Sequence, residues 1–309
     1  HIGGWFLSDD ASEPNRTKYE IEEGTVIESH DYLVFSENIH FGPAATGPGI
    51  RHVPFSLSEG GELVHLQSAA DGVLTGYVAM EDFGASATGI SFGRYEKESL
   101  SGGYDFVLLA EATEQAANSA PQTGPVMMTE IMYRPGSTNA GGGVLELHNP
   151  TGQTVFLQDL VTTQLSEDPW DLEYEFVPWR FTNGIDFTFP LNTSIPAGGY
   201  LIVAEDPTAF TAWYGALGVQ VLGPFENDTN LSNGGERVTL SRPGDQEWQK
   251  DRYYIRVDSV EYRDEAPWPV EADGTGASLQ HRNPAATDPG LLYGNDPANW
   301  TAVDPKPGH

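Results

Sequence analysis

Residues 230–240 read "NLSNGGERVTL", and residues 55–66 read "FSLSEGGELVHL". Both contain Leu-Ser-x-Gly-Gly-Glu followed by apolar residues at every second position. Adjacent glycines open backbone conformations that other residues avoid, and apolar alternation at period two marks a half-buried strand. The pattern therefore predicts one tight turn feeding one strand, written twice. On this reading Gly60-Gly61 and Gly234-Gly235 can take positive φ without a Cβ clash. Leu57 and Leu231 anchor the entering arm in the core, and Val64, Leu66, Val238 and Leu240 face inward.

Two more matches occur in the same order. "GTVIESHDYLVF" (24–35) parallels "NTSIPAGGYLIV" (192–203), and "TGISFGRY" (88–95) parallels "TGASLQHR" (275–282). Three ordered matches predict a duplicated chain. "HIGGWFLSDD" (1–10) aligns with "VFLQDLVTTQ" (155–164), so the second copy's opening strands, "VMMTEIMYRP" (126–135) and "GGGVLELHNP" (141–150), have no counterpart. The first copy is expected to lack them. "DYLVFSE" (31–37) and "GYLIVAED" (199–206) each read as a strand. "PTAFTAWYGALG" (207–218) reads as the one short helix, with Pro near its start and Gly past its end. The small, polar stretch 111–126 reads as a linker. These signals predict an all-β chain with a partial domain at 1–118, a linker at 119–125 and a complete domain at 126–309. The second domain carries insertions such as "SEDPWDLEYEFVPWRF" (166–181).

The chain has 45 acidic and 15 basic residues, a formal charge of -30. That balance opposes binding to phosphate backbones and argues against a nucleic-acid partner. It suits solubility, divalent cations or a cationic partner. Cysteine is absent, which excludes disulfides, thiolate nucleophiles and cysteine-bound zinc. No apolar run is long enough for a membrane-spanning helix. Because the sequence opens at His1 without methionine, it is expected to be a processed piece or an expression fragment.

With these residues assembled, the chain resembles the lamin tail domain family. The second copy carries "VMMTEIMYRP", "GVLELHNPTGQTVFLQDL", "IPAGGYLIVA", "LSNGGERVTL", "VDSVEY", "GASLQHR" and "NDPANWTA". The first carries "IGGWFLSDD", "GTVIESHDYLVF", "FSLSEGGELVHL" and "GISFGRY". The resemblance implies two immunoglobulin-like β-sandwiches in tandem, the first without its opening strands. It also implies a bacterial secreted or cell-surface accessory of the type found beside CotH-like and extracellular hydrolase domains, with no catalytic residues of its own. Expected partners are other domains of a larger parent protein, or a neighbouring chain that completes the first sandwich.

The leading functional expectation is a non-catalytic structural, adhesion or protein-interaction module. A carbohydrate-binding accessory of a polysaccharide-degrading enzyme is the first alternative, with Trp170 and Trp179 as the stacking residues. A calcium-dependent hydrolase is the second. There Asp9, Asp10 and Glu13 supply hard oxygen ligands, against the plainer reading that Asp9 and Asp10 cap a turn. No cofactor other than calcium is expected. His65 and His148 lie in alternating strands and read as strand-face or hydrogen-bonded histidines, and Trp268 reads as buried.

Overall fold

A computed structural model describes residues 1–98, 103–136 and 142–308. Gly141 and His309 lie outside the described residues. The chain is all-β, and its backbone divides into two compact units: His1–Tyr95 with Asp105–Ala120, and Glu96–Tyr104 with Pro121–His309.

In the first unit, β1 (Phe6–Ser8), β2 (Tyr19–Glu20), β3 (Ile50–Arg51), β4 (Gly61–Ala70) and β5 (Val73–Gly84) form one sheet in the order β3-β2-β1-β4-β5. The chain then forms a two-stranded sheet from β6 (Phe92–Glu96) and β7 (Tyr104–Leu108). Tyr19, Ile21, Phe41 and Phe55 make a small core.

The second unit continues with β8 (Met127–Met132), β9 (Val144–His148), β10 (Val155–Phe156), β11 (Gln158–Gln164), β12 (Leu172–Pro178), β13 (Arg180–Asn183) and β14 (Ser194–Ile195). After these come β15 (Tyr200–Ala204), β16 (Gln220–Leu222), β17 (Gly235–Pro243), β18 (Tyr254–Arg263), β19 (Ser278–His281) and β20 (Trp300–Val303). A six-stranded sheet, β16-β15-β9-β8-β19-β20, and a three-stranded sheet, β13-β17-β18, share one core. Val126, Met128, Ile131, Leu145 and Leu147 from the first sheet's side meet Phe181, Val238, Leu240, Val260 and Tyr262 from the other. The opposite face of the larger sheet is covered by helix α1 (Pro207–Tyr214), whose Phe210 packs with Met132, Val144, Ile202 and Ala204. The Asp206 carboxylate caps α1 by accepting from the N–H groups of Thr208 and Ala209, and Gly215 ends it at positive φ, shorter than the expected 207–218.

The glycine turns have the same construction in both units. Gly61 (φ 95°) faces Gly84 across the β4–β5 ladder, and Gly235 (φ 99°) faces Arg263 across β17–β18. Only the second glycine of each pair has positive φ. The Glu62 carboxylate accepts from Ser58 N–H, and the Glu236 carboxylate accepts from Ser232 N–H at 2.6 Å. The chain thus closes each turn with the acid of its own motif, satisfying a backbone donor that the turn would leave unpaired.

A second set of turns also recurs. Thr25 Oγ1 donates to Glu22 O at 2.6 Å, and Thr193 Oγ1 donates to Pro190 O at 2.7 Å. Gly24 and Asn192, then His30 and Gly198, hold matching positive φ. Leu7 pairs with Leu66 as Phe181 pairs with Leu240.

These contacts correct the alignment of the N-terminus. Ile2 takes the place of Leu157, as each donates its N–H to the matching threonine carbonyl, Thr25 O or Thr193 O. But Trp5, not Ile2's sequence neighbours, takes the place of Trp179: Trp5 N donates to Ile2 O at 3.2 Å, and Trp179 N donates to Leu157 O at 2.9 Å. Gly3-Gly4 therefore occupies the point where the second unit inserts residues 158–178.

The expected strand at 31–37 does not form. The turn before it does: Asp31 N donates to Glu28 O as Gly199 N donates to Pro196 O. In the second unit the segment after that turn becomes β15 because β9 supplies a ladder, with Leu201 opposite Leu147 and Val203 opposite Leu145. A strand needs an edge to pair with, and the first unit has no counterpart of β9 among its described residues.

Candidate interaction site

The missing ladder has a measurable effect on burial. Ile27 is 42% exposed and Leu33 40%, whereas their matches Ile195 and Leu201 are at 0%. Leu57 is 43% exposed where Leu231 is at 3%. Val64 and Leu66 are half-buried, while Val238 and Leu240 are fully buried. The expectation that Leu57 anchors the core fails for this reason: Met128, Ile131, Leu145 and Leu147, which seal the second core over Leu231, come from two strands that have no counterpart among the first unit's described residues. We expect Leu240→Ala to cost the second unit about 3 kcal/mol, and Leu66→Ala to cost the first only about 1 kcal/mol. Denaturant unfolding of the two variants checks this, and equal losses would show the first core to be as closed as the second.

A second exposed apolar surface lies on the insertion at 158–178. It is a β-hairpin, β11 with β12, in the register Leu160↔Phe176 and Thr162↔Tyr174. Val161 on the inward face is buried. On that side the Arg252 guanidinium holds the arm, donating to Thr163 Oγ1 at 2.6 Å and Glu175 Oε1 at 2.7 Å. Gln246 clamps the β11 edge through Gln164 N and Thr162 O. The outward face presents Leu160, Tyr174 and Phe176 to solvent, and Trp170 at the tip is 86% exposed. Trp179 is not on this surface. It is buried in the core, with Nε1 donating to Asp159 Oδ2 at 2.9 Å, so the two tryptophans do not form one stacking row.

The acidic loop 9–15 is pinned to the sheet beneath it. His65 Nε2–H donates to Asp10 O at 3.0 Å, and Ser8 Oγ donates to Asn15 O at 2.8 Å. Hydrogen bonds from the Ser12 hydroxyl and N–H, then from the Asn15 amide, lower the Asp10 carboxyl to about 2. Asp9 meets Lys18 Nζ at 2.5 Å, and Glu13 pairs with Arg16. Each of the three carboxylates thus has its own partner. Among the described residues no group of three or more acidic or histidine side chains is arranged to hold a metal ion. Beside the loop, an open cleft of about 460 Å³ is lined by Asn15, Lys18, Glu20 and His52. Lys18 is engaged by Asp9, and His52 Nε2 lies 2.9 Å from Glu20 Oε2.

Sequence reading missed one constellation. Glu130 on β8 and Glu146 on β9 are cross-strand neighbours, and both are buried. Glu130 Oε1 accepts from Ser278 Oγ at 2.5 Å, and Glu146 accepts from Thr129 Oγ1 at 2.6 Å and from Gly308 N at 2.5 Å. Burial, reinforced by the charge of Glu146, pushes Glu130 up to about 7. In the sequence, "TEIM" and "LELH" show only glutamates on the polar phase of alternating strands. Their burial comes from the C-terminal segment near Gly308, which no local pattern reveals. His148 stacks on Tyr200 with centroids 4.3 Å apart, and its Nδ1–H donates to Gly199 O at 3.1 Å. Trp268 is buried against Trp300, as expected.

Comparison with protein-family models, curated proteins and solved structures found no match. No helix among the described residues is long and apolar enough to cross a membrane. The geometry of the two apolar surfaces therefore carries the functional argument.

Proposed function

We propose that the chain is a non-catalytic interaction module of a larger secreted or cell-surface protein, built from two copies of an immunoglobulin-like β-sandwich. The matching turns support the duplication. The observation that carries the interaction role is the hairpin at 158–178. It is inserted where the first unit closes with Gly3-Gly4, and it turns Leu160, Tyr174, Phe176 and Trp170 toward water. A contiguous apolar face that adds little to its own core is the kind of surface a partner covers.

Trp170 also supports a glycan reading, since a flat exposed indole suits the apolar face of a sugar ring. The test compares the wild-type chain with Trp170→Ala and Phe176→Ser, on a glycan array and by cross-linking within the parent protein. Trp170→Ala is expected to change unfolding free energy by less than about 0.5 kcal/mol, because the side chain packs against little. Glycan binding lost in Trp170→Ala selects the sugar reading, and cross-links from 160–176 to another protein domain select the protein reading. Catalytic turnover by the isolated chain overturns both.

A further inference from the structure

The second unit supplies a template for what would cover the first. In it β8 and β9 lie side by side in the middle of the six-stranded sheet, between β15 and β19. β9 bonds Tyr200–Ala204, and β8 bonds the other flank through Leu279↔Ile131 and Gln280↔Glu130. Their inward side chains Met128, Ile131, Leu145 and Leu147 close the core. The matching flanks in the first unit are Tyr32–Ser36 and the start of β6. The first has no strand structure, and β6 sits in a two-stranded sheet with β7. Near that end Asn118 Nδ2 donates to Arg94 O at 2.9 Å, a side-chain cap where the second unit has a ladder. Ile27, Leu33 and Leu57 are left exposed and Val64 and Leu66 only half-buried, whereas their matches Ile195, Leu201, Leu231, Val238 and Leu240 all belong to the sealed core.

We propose that the first unit takes up a two-stranded antiparallel hairpin built like Met127–His148, supplied by polypeptide that precedes Ile2 in the parent protein. The source follows from chain direction. In the second unit the hairpin runs through β10 directly into Leu157, and Ile2 holds the hydrogen bonds of Leu157. The occupant must carry apolar residues at alternate positions on both strands, because the surface it covers is apolar and a strand shows one face to it. Its second strand pairs with Tyr32–Phe35, which then becomes a strand, and its first pairs with β6.

The inference rests on reading the two units as copies. The test compares residues 1–309 with the same chain carrying roughly 35 further residues of its natural upstream sequence, a length set by two strands and their connections. In the longer chain, hydrogen exchange at Leu33–Phe35 is expected to slow by about tenfold or more, in a monomer. Leu33→Asp is the second arm. It is expected to leave the melting of residues 1–309 unchanged, since Leu33 is exposed there, and to lower the first transition of the longer chain. Unchanged exchange in the longer chain overturns the proposal. So does an upstream sequence without two alternating apolar segments. Protection that appears in residues 1–309 only as concentration rises assigns the surface to a second copy instead. Failure of the duplication itself shows separately, as unequal effects of alanine at Gly61 and Gly235.

Discussion

Gly235→Ala is expected to destabilise the second unit by about 3–4 kcal/mol, and Gly61→Ala to destabilise the first by a similar amount. Two costs add. A residue with a Cβ at φ near +95° to +99° sits in backbone space that L-residues avoid. The added carbon also meets backbone that cannot step aside: Tyr262 O at 2.6 Å and Arg263 Cα at 2.8 Å for Gly235, and Phe83 O at 2.5 Å for Gly61. The preceding glycines provide the control. A Cβ on Gly234 meets nothing within 4 Å, and one on Gly60 meets only Ser58 Oγ at 3.5 Å. Gly234→Ala and Gly60→Ala should therefore stay within about 1 kcal/mol of the parent chain. Calorimetry resolving two transitions reads all four variants. If Gly235→Ala melts no lower than Gly234→Ala, the turn is not the constrained element described here.

The second large effect is a pH dependence of the second unit. Glu130 is raised in the folded state from its ordinary 4.5 to about 7, first by burial and then by the neighbouring charge of Glu146, against hydrogen bonds from Ser278, Gln280 and the Lys306 backbone. The folded state therefore holds this proton over a window in which the unfolded state has lost it. Stability is greatest below about pH 4.5, falls as pH rises to about 7, and is level above that. The cost of ionising Glu130 in place is on the order of 3 kcal/mol. Asp258, raised to about 6 by burial, adds a loss in the same direction. His281 opposes both: burial lowers it to about 4, so its contribution favours higher pH between about 4 and 6.5. Glu130→Gln separates the terms. Its advantage in melting temperature over the wild type should grow by roughly 5–10 °C between pH 4.5 and pH 8. Parallel pH curves for the two proteins would show that Glu130 does not titrate as described.

The glycine turns were legible in the sequence because everything they need is local. Two glycines, a serine four residues before its glutamate, and an alternating strand lie within a dozen positions, and the chain repeats them. The strand at 31–37 was misread for the opposite reason. "DYLVFSE" has the alternation of "YLIVA", but alternation specifies only which side faces in; whether a ladder forms depends on a partner such as β9. The Trp5–Trp179 equivalence was hidden by the insertion at 158–178, which separates Trp179 from the residues that match Ile2. Trp179 is offered as a stacking residue because it lies in the aromatic insertion at 166–181; its burial is set by core packing and by its own donation to Asp159 and Leu157, partners that its immediate neighbours do not reveal. Glu130 and Glu146 carried no local sign of burial, since their cover comes from a segment more than 150 residues away for one of them.

The junction at Leu157 and Trp179 has a use beyond this molecule. A two-glycine bridge and a twenty-one-residue arm span the same pair of anchor points, and the hydrogen bond that ties those points together survives in both cases. The cost of lengthening such a bridge grows only with the logarithm of its length once the ends are fixed. Gly3-Gly4 is thus a ready splice site, where an epitope tag, a reporter domain with adjacent termini, or a transplanted recognition loop can be seated without rebuilding the scaffold.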